Sequence, residues 1–457
     1  MARLFGTDGI RGEVNKYPMR PELVLKLGQA IGIHFKKEYP HPRILIGKDT
    51  RRSGYMLEQA LSAGICSVGV NVGFLGPVPT PGIAYLTRGM RACAGIVISA
   101  SHNAFQDNGI KIFGADGYKL PDLLEDKLEA MIHEDLSSAD TPTGMGIGTA
   151  KRIDDAVGQY SVFLKERFPK HLSLEGVRIV LDCAHGAAYK VAPKVFEELG
   201  AELFLLGVNP NGQNINHDSG ALHPKALCDA VHRYKADIGL ALDGDADRLI
   251  VADDKANIVD GDQIMAICGK YMKDHGTLEK NTVVATVMSN MGLDIAMNNI
   301  GIDIKRTKVG DRYVVDEMKK GGYSLGGEQS GHLIFRSVAT TGDGILAALK
   351  LVEIILETGK PVSELRRCME VFPQVLRNVS VKEKIPLEQL EDLKKHITKC
   401  EASLGNKGRI LFRYSGTENL ARIMIEGENI DQIEKMAADL ATTTSTNIAA
   451  VGKEIVR

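Results

Sequence analysis

Short apolar runs that end abruptly in small or charged residues recur along the chain. One run, Ile96–Ile98, passes directly into Ser-Ala-Ser-His-Asn at residues 99–103. Another, Ile238–Leu242, passes into Asp-Gly-Asp-Ala-Asp-Arg at residues 243–248. Continuous apolar runs of this length predict strands that are buried on both faces. Open α/β folds bind ligands at the carboxyl ends of such strands, so both polar loops are candidate parts of a site.

Segments with apolar residues at helical spacing lie between the predicted strands. The first helix is predicted from Pro21, which suits the first turn, to about Lys37. Further helices are predicted to about Val68, over Leu123–Glu134, to Phe168, and over 344–358, 387–399 and 430–441. Further strands are predicted over Arg43–Gly47, Asn71–Phe74, 177–181, 249–252, 282–287, 377–381, 409–412 and 421–426. The proline-rich stretch Gly76–Pro81 predicts a loop.

This order of elements predicts an α/β protein of several domains. A chain of 457 residues suggests about three domains or more. Three successive units each pair an apolar strand with a small-residue loop, and the last part of the chain reads as a small α+β domain. We expect domains over residues 1–152, 153–255, 256–370 and 371–457, with a largely parallel sheet in the first.

Composition and charge exclude several classes of partner. The formal net charge is −2 and the pI is near 6.7, so neither a nucleic acid nor an acidic membrane surface is indicated. No stretch has the length of a membrane span, and the first residues lack a signal-peptide core. Seven scattered cysteines show no zinc-ligand spacing. We interpret them as reduced thiols of a cytoplasmic protein.

The acidic loop is a candidate metal site. Asp243, Asp245 and Asp247 stand at alternate positions, and three carboxylates this close need a cation between them. A calcium EF-hand does not fit, because Arg248 stands at the sixth position and a strand precedes the loop. Mg²⁺ fits better, since it leaves coordination positions for phosphate oxygens, and Arg248 could hold that phosphate. A solvated acidic turn is the alternative.

The Ser-rich loop adds a hydroxyl to this picture. A hydroxyl at one strand end and an acidic metal loop at another are the parts of a phosphoryl-transfer site, although an ordinary polar turn would also explain Ser-X-Ser. Lys111 lies ten residues past Ser101, so a loop can bring it back. For His102 we favour a structural role, because a neighbour in sequence rarely points toward the preceding side chain.

Three further stretches offer groups for a sugar phosphate. In the loop at residues 413–418, Arg413 and nearby Arg422 supply charged donors, while Ser415, Gly416 and Thr417 offer hydroxyls and close backbone approach. A hairpin turn with surface arginines is the alternative there. Glu328 and Ser330 lie between glycines and suit sugar hydroxyls. Arg11 lies in the glycine-punctuated turn Phe5–Gly12, which could also be purely structural.

Taken together, the motifs resemble those of the α-D-phosphohexomutase family over the whole chain. Four separated stretches carry the resemblance in the family's order: Ser99–Asn103, Asp243–Arg248, Gly327–His332 and Arg413–Glu418. Phe5–Gly12 and Gly-Glu-Gln-Ser-Gly-His resemble the branch that acts on glucosamine phosphates more than the mannose and glucose branch. Two departures concern loop rigidity: Ala104 stands where the family usually has Pro, and Tyr414 and Asn419 flank Ser-Gly-Thr-Glu, which Pro often follows in the family.

The resemblance implies a fold and an activity. Three related α/β domains and a C-terminal α+β domain would surround a central cleft. The active form would be phosphorylated on Ser101, with Mg²⁺ on Asp243, Asp245, Asp247 and an oxygen of that phosphate. The enzyme would be an isomerase that interconverts glucosamine 6-phosphate and glucosamine 1-phosphate through a 1,6-bisphosphate, and so would feed synthesis of UDP-N-acetylglucosamine. Glucosamine 1,6-bisphosphate or glucose 1,6-bisphosphate would be the activator.

The same resemblance suggests roles for individual residues. Arg11 and Arg248 would stabilise the transferring group, and Lys111 or His332 would move the proton of the attacking hydroxyl. Sugar and phosphate contacts would come from Glu328, Ser330, Arg413, Ser415, Gly416, Thr417, Glu418 and Arg422.

Two other functions compete with this one: a mutase for mannose or glucose phosphates, and a non-catalytic sugar-phosphate sensor. A sensor needs neither Ser101 nor three aspartates and is disfavoured. The expected partner is a small hexosamine phosphate, and the sequence leaves monomer and homodimer open.

Overall fold

The computed structural model describes residues 3–6, 8–134, 141–415 and 419–455. It divides into two compact units. The first comprises Met1–Met288 and Ile300–Cys368, and the second comprises Ser289–Asn299 and Met369–Arg457. Within the described residues, no helix is both long enough and apolar enough to span a membrane.

The first sheet of the larger unit has six strands in the order β1-β5-β4-β2-β3-β6. The strands are β1 (Ile10–Glu13), β2 (Arg43–Lys48), β3 (Asn71–Pro77), β4 (Ala94–Ile98), β5 (Asp107–Gly114) and β6 (Ala150–Arg152). The accompanying helices are α1 (Pro21–Glu38), α2 (Arg52–Ser67), α3 (Thr80–Gly89) and α4 (Asp122–His133). Strand β5 is antiparallel to both neighbours, and the remaining pairings are parallel. The prediction of a largely parallel sheet is confirmed.

Helices α1 and α2 cover one face of this sheet and pack closely on each other. A Cβ added to Gly28 would lie 2.3 Å from the Leu61 carbonyl oxygen, and one added to Gly64 would lie 2.1 Å from that of Leu25. No larger residue fits this crossing, so these glycines set the distance between the two helices. The predicted helix from Pro21 is confirmed, because its apolar face is buried against α2.

The second sheet has the order β11-β10-β9-β7-β8. Its elements are α5 (Ala156–Lys165), β7 (Arg178–Asp182), α6 (Val191–Glu198), β8 (Glu202–Leu206), α7 (Lys225–Tyr234), β9 (Ile238–Leu242), β10 (Leu249–Ala252) and β11 (Ile258–Val259). Strand β9 is fully buried, as its continuous apolar run predicts.

The third sheet has the order β13-β12-β14-β15. Its elements are α8 (Gly261–Asp274), β12 (Thr282–Thr286), β13 (Asp303–Thr307), α10 (Asp311–Gly321), β14 (Leu325–Gly327), β15 (Leu333–Phe335), α11 (Gly344–Thr358) and α12 (Val362–Leu365), with α9 (Met291–Asn299) intervening in the chain. Helix α11 begins where the Asp343 side chain accepts a hydrogen bond from the Leu346 N–H at 2.9 Å.

The smaller unit contains a three-stranded antiparallel sheet in the order β16-β18-β17. Its elements are β16 (Gln374–Ser380), α13 (Glu391–Leu404), β17 (Gly408–Tyr414), β18 (Leu420–Gly427) and α14 (Ile430–Ile455), and α9 packs with them. Asn290, just before α9, connects that helix to the segment before β16, because its side chain donates a hydrogen bond to the Phe372 carbonyl at 2.9 Å.

Several predicted boundaries are wrong by three to five residues, such as those of α13 and β16, and two further errors are larger. Residues Gly76–Pro81 are not one loop, because β3 extends to Pro77 and α3 begins at Thr80. Proline is tolerated in the first turn of a helix, so Pro81 does not prevent α3. The last helix does not end near Ala441 but continues to Ile455. The hydroxyls of Thr442, Thr444 and Thr446 donate to carbonyls one turn earlier, so this threonine-rich run remains helical.

Candidate active site

Ser101 lies three residues past the end of the fully buried strand β4, and its hydroxyl points into a cluster of carboxylates. Its Oγ donates a hydrogen bond to Asp243 Oδ2 at 2.7 Å. Its backbone has φ of +50°, a left-handed conformation that is uncommon outside glycine. The side chain is buried. The structure therefore joins the two loops that the apolar pattern singles out, one from the first sheet and one from the second.

His102 contacts the same hydroxyl, contrary to our expectation for a sequence neighbour. Its Nδ1 lies 3.2 Å from Ser101 Oγ. Burial, and then the charges of Arg248 and Arg11, lower the pKa of His102 to about 4. The imidazole is therefore neutral near pH 7. Because Ser101 is left-handed, its side chain and that of its neighbour do not diverge as they would along a strand.

Asp243, Asp245 and Asp247 form a group that can hold a metal ion. One oxygen of each lies within 4.8 Å of the others, and all three side chains are buried. Asp245 Oδ2 accepts hydrogen bonds from Thr80 Oγ1 at 2.7 Å and from Lys111 Nζ at 2.9 Å. Among the described residues, Oδ1 of Asp245 and Oδ1 of Asp247 have no hydrogen-bond partner although both are buried. Buried unpaired carboxylate oxygens that converge are the donor set that Mg²⁺ prefers.

The electrostatics of the cluster also favour a bound cation. Burial raises the pKa of Asp243 well above its ordinary value, and the neighbouring charges of Asp247 and Asp245 raise it further. For Asp247, burial also opposes ionisation, but Lys111, His332 and Arg248 outweigh it and hold the pKa below its ordinary value. A divalent cation would relieve the repulsion among the three carboxylates.

Lys111 is surrounded by acidic side chains. Its Nζ lies 2.9 Å from Asp245 Oδ2, 3.2 Å from Asp8 Oδ2 and 3.7 Å from Asp247 Oδ2. Burial lowers the pKa of Lys111, but these three carboxylates outweigh burial and raise the pKa above its ordinary value. This environment favours the charged form, which suits a cation that offsets negative charge.

Two arginines supply donors next to Ser101. Arg11 hydrogen-bonds to Asp8, and the backbone N–H of Arg248 donates to Asp243 Oδ1 at 3.2 Å. The Nε atoms of Arg11 and Arg248 are buried and make no hydrogen bond to any residue described in the structure. Arg248 Nε lies 3.9 Å from Asp247 Oδ1, which is an ion-pair contact but too long for a hydrogen bond. Buried guanidinium donors without a hydrogen bond are unfavourable unless an anion accepts from them, so both arginines fit a phosphate group.

His332 lies beside the group of three carboxylates, between Asp247 and Asp311. Its Nδ1 is 3.6 Å from Asp247 Oδ2, its Nε2 is 3.8 Å from Asp311 Oδ2, and the Gly342 N–H donates to Nε2 at 3.1 Å. The ring is almost fully buried. From this position the ring can orient the Asp247 carboxylate, as histidines next to metal ligands do in metal sites.

The predicted sugar-binding loop is the hairpin between β14 and β15. Glu328 is half-buried and its Oε1 accepts a hydrogen bond from the Gly310 N–H at 3.1 Å, whereas Ser330 is exposed. Gly331 has φ of +89°, and a Cβ there would lie 2.1 Å from the Leu249 carbonyl oxygen. The hairpin is therefore held directly against the strand that follows the metal loop.

The predicted phosphate loop belongs to the smaller unit. Arg413 on β17 is paired in register with Arg422 on β18. Burial, followed by repulsion from Arg422, lowers the pKa of Arg413. Like charges directly opposite each other in a sheet are unfavourable, which fits a site that receives an anion. The Ser415 N–H donates to the Leu420 carbonyl at 2.9 Å. Gly416, Thr417 and Glu418 lie outside the described residues.

Sequence reasoning missed several side chains of this site. Thr80 lies in the stretch that was predicted to be a loop, yet it holds the second oxygen of Asp245. Asp8 accepts hydrogen bonds or ion pairs from Arg11, Lys111 and Lys119. Asp8 falls within the glycine-punctuated turn that was singled out for Arg11, so a signal was present there; Thr80 had none.

A buried serine hydroxyl beside three carboxylates and several cationic side chains, carried on α/β domains, indicates a phosphoryl-transfer protein, and comparisons with known proteins agree. The models for phosphoglucomutase/phosphomannomutase α/β/α domains I, II and III match residues 2–139, 159–257 and 260–372, and the C-terminal domain model matches residues 376–443. The chain therefore belongs to the phosphoglucomutase/phosphomannomutase family, and it is a phosphohexomutase, an isomerase. The four-domain α/β architecture expected from the sequence is confirmed.

Curated relatives indicate which branch of the family this chain resembles. The phosphoglucosamine mutase of Pelobacter propionicus is 57% identical over 441 residues, covering 96% of this chain and 97% of the relative. Other bacterial relatives at 53% and 56% identity carry the same name. The glucosamine branch was predicted from Phe5–Gly12 and the Gly-Glu-Gln-Ser-Gly-His stretch, and these relatives confirm that prediction.

Solved structures share the fold. A phosphoglucomutase/phosphomannomutase family protein from Burkholderia thailandensis has a TM-score of 0.79 at 22% identity, over 97% of both chains. Aspergillus fumigatus N-acetylphosphoglucosamine mutase, solved in complex with GlcNAc-6P and magnesium, has a TM-score of 0.67 at 15% identity, over 97% of this chain and 96% of that one.

Proposed function

We propose that this chain interconverts glucosamine 6-phosphate and glucosamine 1-phosphate through a phosphorylated Ser101 and a 1,6-bisphosphate. The observation that carries the proposal is the 2.7 Å contact between Ser101 Oγ and Asp243 inside a group of three buried carboxylates. Relatives more than half identical over nearly the whole chain are named phosphoglucosamine mutase, which supports the choice of sugar.

In the first transfer, the bond between phosphorus and Ser101 Oγ breaks while a sugar hydroxyl oxygen bonds to the same phosphorus. Positioning and charge neutralisation dominate such transfers. Arg11 and Arg248 would donate to the transferring group through the Nε atoms that lack partners among the described residues. Lys111 would add fixed positive charge beside Asp245 and Asp247. Mg²⁺ held by Asp243, Asp245, Asp247 and the Ser101 phosphate would neutralise negative charge on that phosphate.

Proton movement and sugar recognition fall to neighbouring side chains. The attacking hydroxyl must lose a proton, and the leaving Ser101 Oγ must gain one. We propose that His332 accepts the first proton and that Lys111, which is charged, donates the second. His102 is a further candidate, because its neutral Nδ1 already lies 3.2 Å from Ser101 Oγ. Glu328 and Ser330 would bind sugar hydroxyls from the hairpin after β14.

The second phosphate of the sugar needs its own site. We assign it to Arg413 and Arg422, with Ser415, Gly416, Thr417 and Glu418 of the same loop. The sugar must present O1 and O6 in turn to one serine, so the bisphosphate must turn over while its other phosphate returns to this anchor. Glucosamine 1,6-bisphosphate or glucose 1,6-bisphosphate would act as activator by phosphorylating Ser101.

The proposal extends to cellular context. Glucosamine 1-phosphate would feed synthesis of UDP-N-acetylglucosamine. Each of the seven cysteines is a free thiol, which fits a reducing compartment, so we propose that the enzyme acts in the cytoplasm as a monomer or homodimer.

A coupled assay of glucosamine, glucose and mannose 6-phosphates tests the substrate. We expect the highest kcat/KM for glucosamine 6-phosphate. A higher kcat/KM for glucose or mannose 6-phosphate would instead favour the phosphomannomutase/phosphoglucomutase alternative, and binding without turnover of any of the three would favour the sensor.

Arg413→Ala should lower activity toward sugar monophosphates without blocking phosphorylation of Ser101 by a bisphosphate. One charge-assisted contact contributes roughly 1.5–3 kcal/mol, so the rate should fall about tenfold to a hundredfold. A weakened anchor should also let the bisphosphate escape during its turnover. Initial rates with and without added glucose 1,6-bisphosphate should therefore differ more in the variant than in the wild type.

Arg377→Ala is a matched control for this measurement. Arg377 lies on the same sheet, is exposed, and pairs only loosely with Glu434 at 3.5 Å. It should retain wild-type rates. Equal dependence on added bisphosphate in Arg413→Ala and in the wild type would show that Arg413 does not anchor the intermediate.

A further inference from the structure

The backbone of Ser101 is held at both ends by groups that do not touch the reacting hydroxyl. Its N–H donates to Ser99 Oγ at 2.9 Å. Its carbonyl oxygen accepts two hydrogen bonds, from Arg51 Nη2 at 3.0 Å and from Asn216 Nδ2 at 2.8 Å. A left-handed residue other than glycine is unfavourable by itself and persists only where its surroundings impose it. These three bonds are the surroundings that impose it here.

Arg51, the residue before α2, makes one of these three bonds and several more to the same loop. Its guanidinium is fully buried and reaches one carboxylate, Asp49, through Nε at 2.8 Å. The remaining N–H groups donate to the carbonyls of Ser101, Asn103 and Ala104 in the loop after β4, and to that of Asp107 at the start of β5. A buried cation is unfavourable unless its donors are satisfied, so this arrangement ties the arginine to one loop conformation. Asp49 also accepts from Ser99 Oγ at 2.5 Å, which connects both ends of the network.

Asn216 reaches the same carbonyl from the second domain. Its Nδ2 donates to the carbonyls of Ser101 at 2.8 Å and Asn103 at 3.1 Å. Asn216 itself is left-handed, with φ of +58°, and its N–H donates to the Ala184 carbonyl. The metal loop also packs here, because a Cβ on Gly244 would lie 2.5 Å from the Ser101 carbonyl oxygen. The position of this carbonyl therefore sets where Ser101 lies relative to the metal cluster.

We propose that Arg51 and Asn216 are positioning residues for phosphoryl transfer: by holding the Ser101 carbonyl, they keep Ser101 Oγ directed at Asp243 and the metal cluster. We call the pair the Ser101 clamp. The inference rests on the proposed function, since it concerns the residue that would carry the phosphate. Neither side chain bonds to Ser101 Oγ, so the clamp acts on orientation rather than on the reacting atoms.

Asn216→Gly is the informative variant. Glycine adopts the left-handed conformation without strain, so the change removes the amide and leaves the backbone unhindered. Displacement of a reacting group by about 1 Å can cost on the order of a hundredfold in rate. We expect kcat to fall about tenfold to a hundredfold, with KM for glucosamine 6-phosphate changed less than about threefold, because no substrate contact is lost. Phosphorylation of Ser101 by glucose 1,6-bisphosphate, followed by intact mass, should slow by a similar factor.

Asp218→Gly is the matched control. Asp218 is two residues away, is also left-handed with φ of +49°, and has an exposed side chain. It should keep the wild-type kcat.

Asn216→Asp is the second variant: it keeps the size and backbone preference of asparagine but replaces a donor by an acceptor that repels both carbonyls. It should lose at least as much activity as Asn216→Gly, and it decides the question if the glycine variant does not fold.

The outcomes separate this inference from the function on which it rests. An inactive wild type would overturn the proposed function. An active wild type with Asn216→Gly and Asn216→Asp both equal to Asp218→Gly in kcat would overturn the clamp alone. A fall in kcat that disappears when the assay is cooled well below the variant's Tm would also overturn it, because only stability would then have changed. A fall in kcat with KM and Tm unchanged supports the clamp. Arg51→Lys should likewise lower kcat while leaving KM unchanged.

Discussion

Ser101→Ala should abolish turnover while leaving the fold intact. The substitution removes the oxygen that would carry the phosphoryl group, and no second carrier replaces it, so activity should fall by at least about a thousandfold. The side chain makes one strong hydrogen bond, to Asp243, so the free energy of unfolding should change by only about 1 kcal/mol. Steady-state rates and thermal unfolding of the two proteins measure both effects.

Ser99→Ala provides the control for the site of phosphorylation. Ser99 and Ser101 share one tryptic peptide, residues 92–111, so digestion alone does not distinguish them. Intact mass after incubation with glucose 1,6-bisphosphate should show one phosphate on the wild type and on Ser99→Ala, and none on Ser101→Ala. A phosphate that persists in Ser101→Ala and is lost in Ser99→Ala would overturn the assignment of the carrier.

Asp245→Asn should weaken Mg²⁺ binding and activity together. Asparagine keeps the shape and can still accept from Thr80, but it lacks the negative charge that a hard cation requires. Loss of a residue that only supports a metal ligand typically costs ten- to a hundredfold in affinity, so loss of a ligand's charge should cost at least about tenfold. Calorimetric titration of Mg²⁺ into wild type and variant measures this directly, without reliance on activity.

Chelation gives the complementary test. EDTA should remove wild-type activity, and added Mg²⁺ should restore it. Asp218→Asn, an exposed aspartate of the same domain, should bind Mg²⁺ and turn over substrate like the wild type. Wild-type activity that is unchanged in EDTA would rule out the metal site, whereas equal Mg²⁺ affinity of Asp245→Asn and wild type would remove Asp245 from it.

The strongly patterned elements could be predicted from the sequence, whereas others, such as β5 and α10, were not predicted. The helix predicted from Pro21 to about Lys37 is Pro21–Glu38, and the strand predicted over Ile238–Leu242 has those bounds. Both predictions depend on the spacing of apolar residues within one segment, and that spacing can be read from the sequence. The failures have local causes as well. Proline at the start of α3 reads as a loop, and the threonine-rich end of α14 disfavours helix until its hydroxyls bond to the preceding turn.

The candidate reacting groups could also be recognised in the sequence, because a hydroxyl and several carboxylates directly follow predicted strands. Ser101 follows a buried strand, and Asp243, Asp245 and Asp247 alternate after another, so a hydroxyl and a metal loop could be named. The groups that orient them could not. Thr80, Asn216 and Arg51 are ordinary polar residues in the sequence, and nothing nearby marks them.

The amino-acid pattern was enough to place the strongly periodic strands and helices, the loops that carry a hydroxyl and carboxylates, and the family. The contacts between those loops needed the folded chain: Ser101 Oγ meets Asp243, 142 positions away, and Thr80 holds Asp245, 165 positions away. The physical reason is that local pattern reflects the burial of each segment, whereas contacts between distant loops depend on how whole sheets pack. Close approaches such as that of Gly244 to the Ser101 carbonyl arise from that packing.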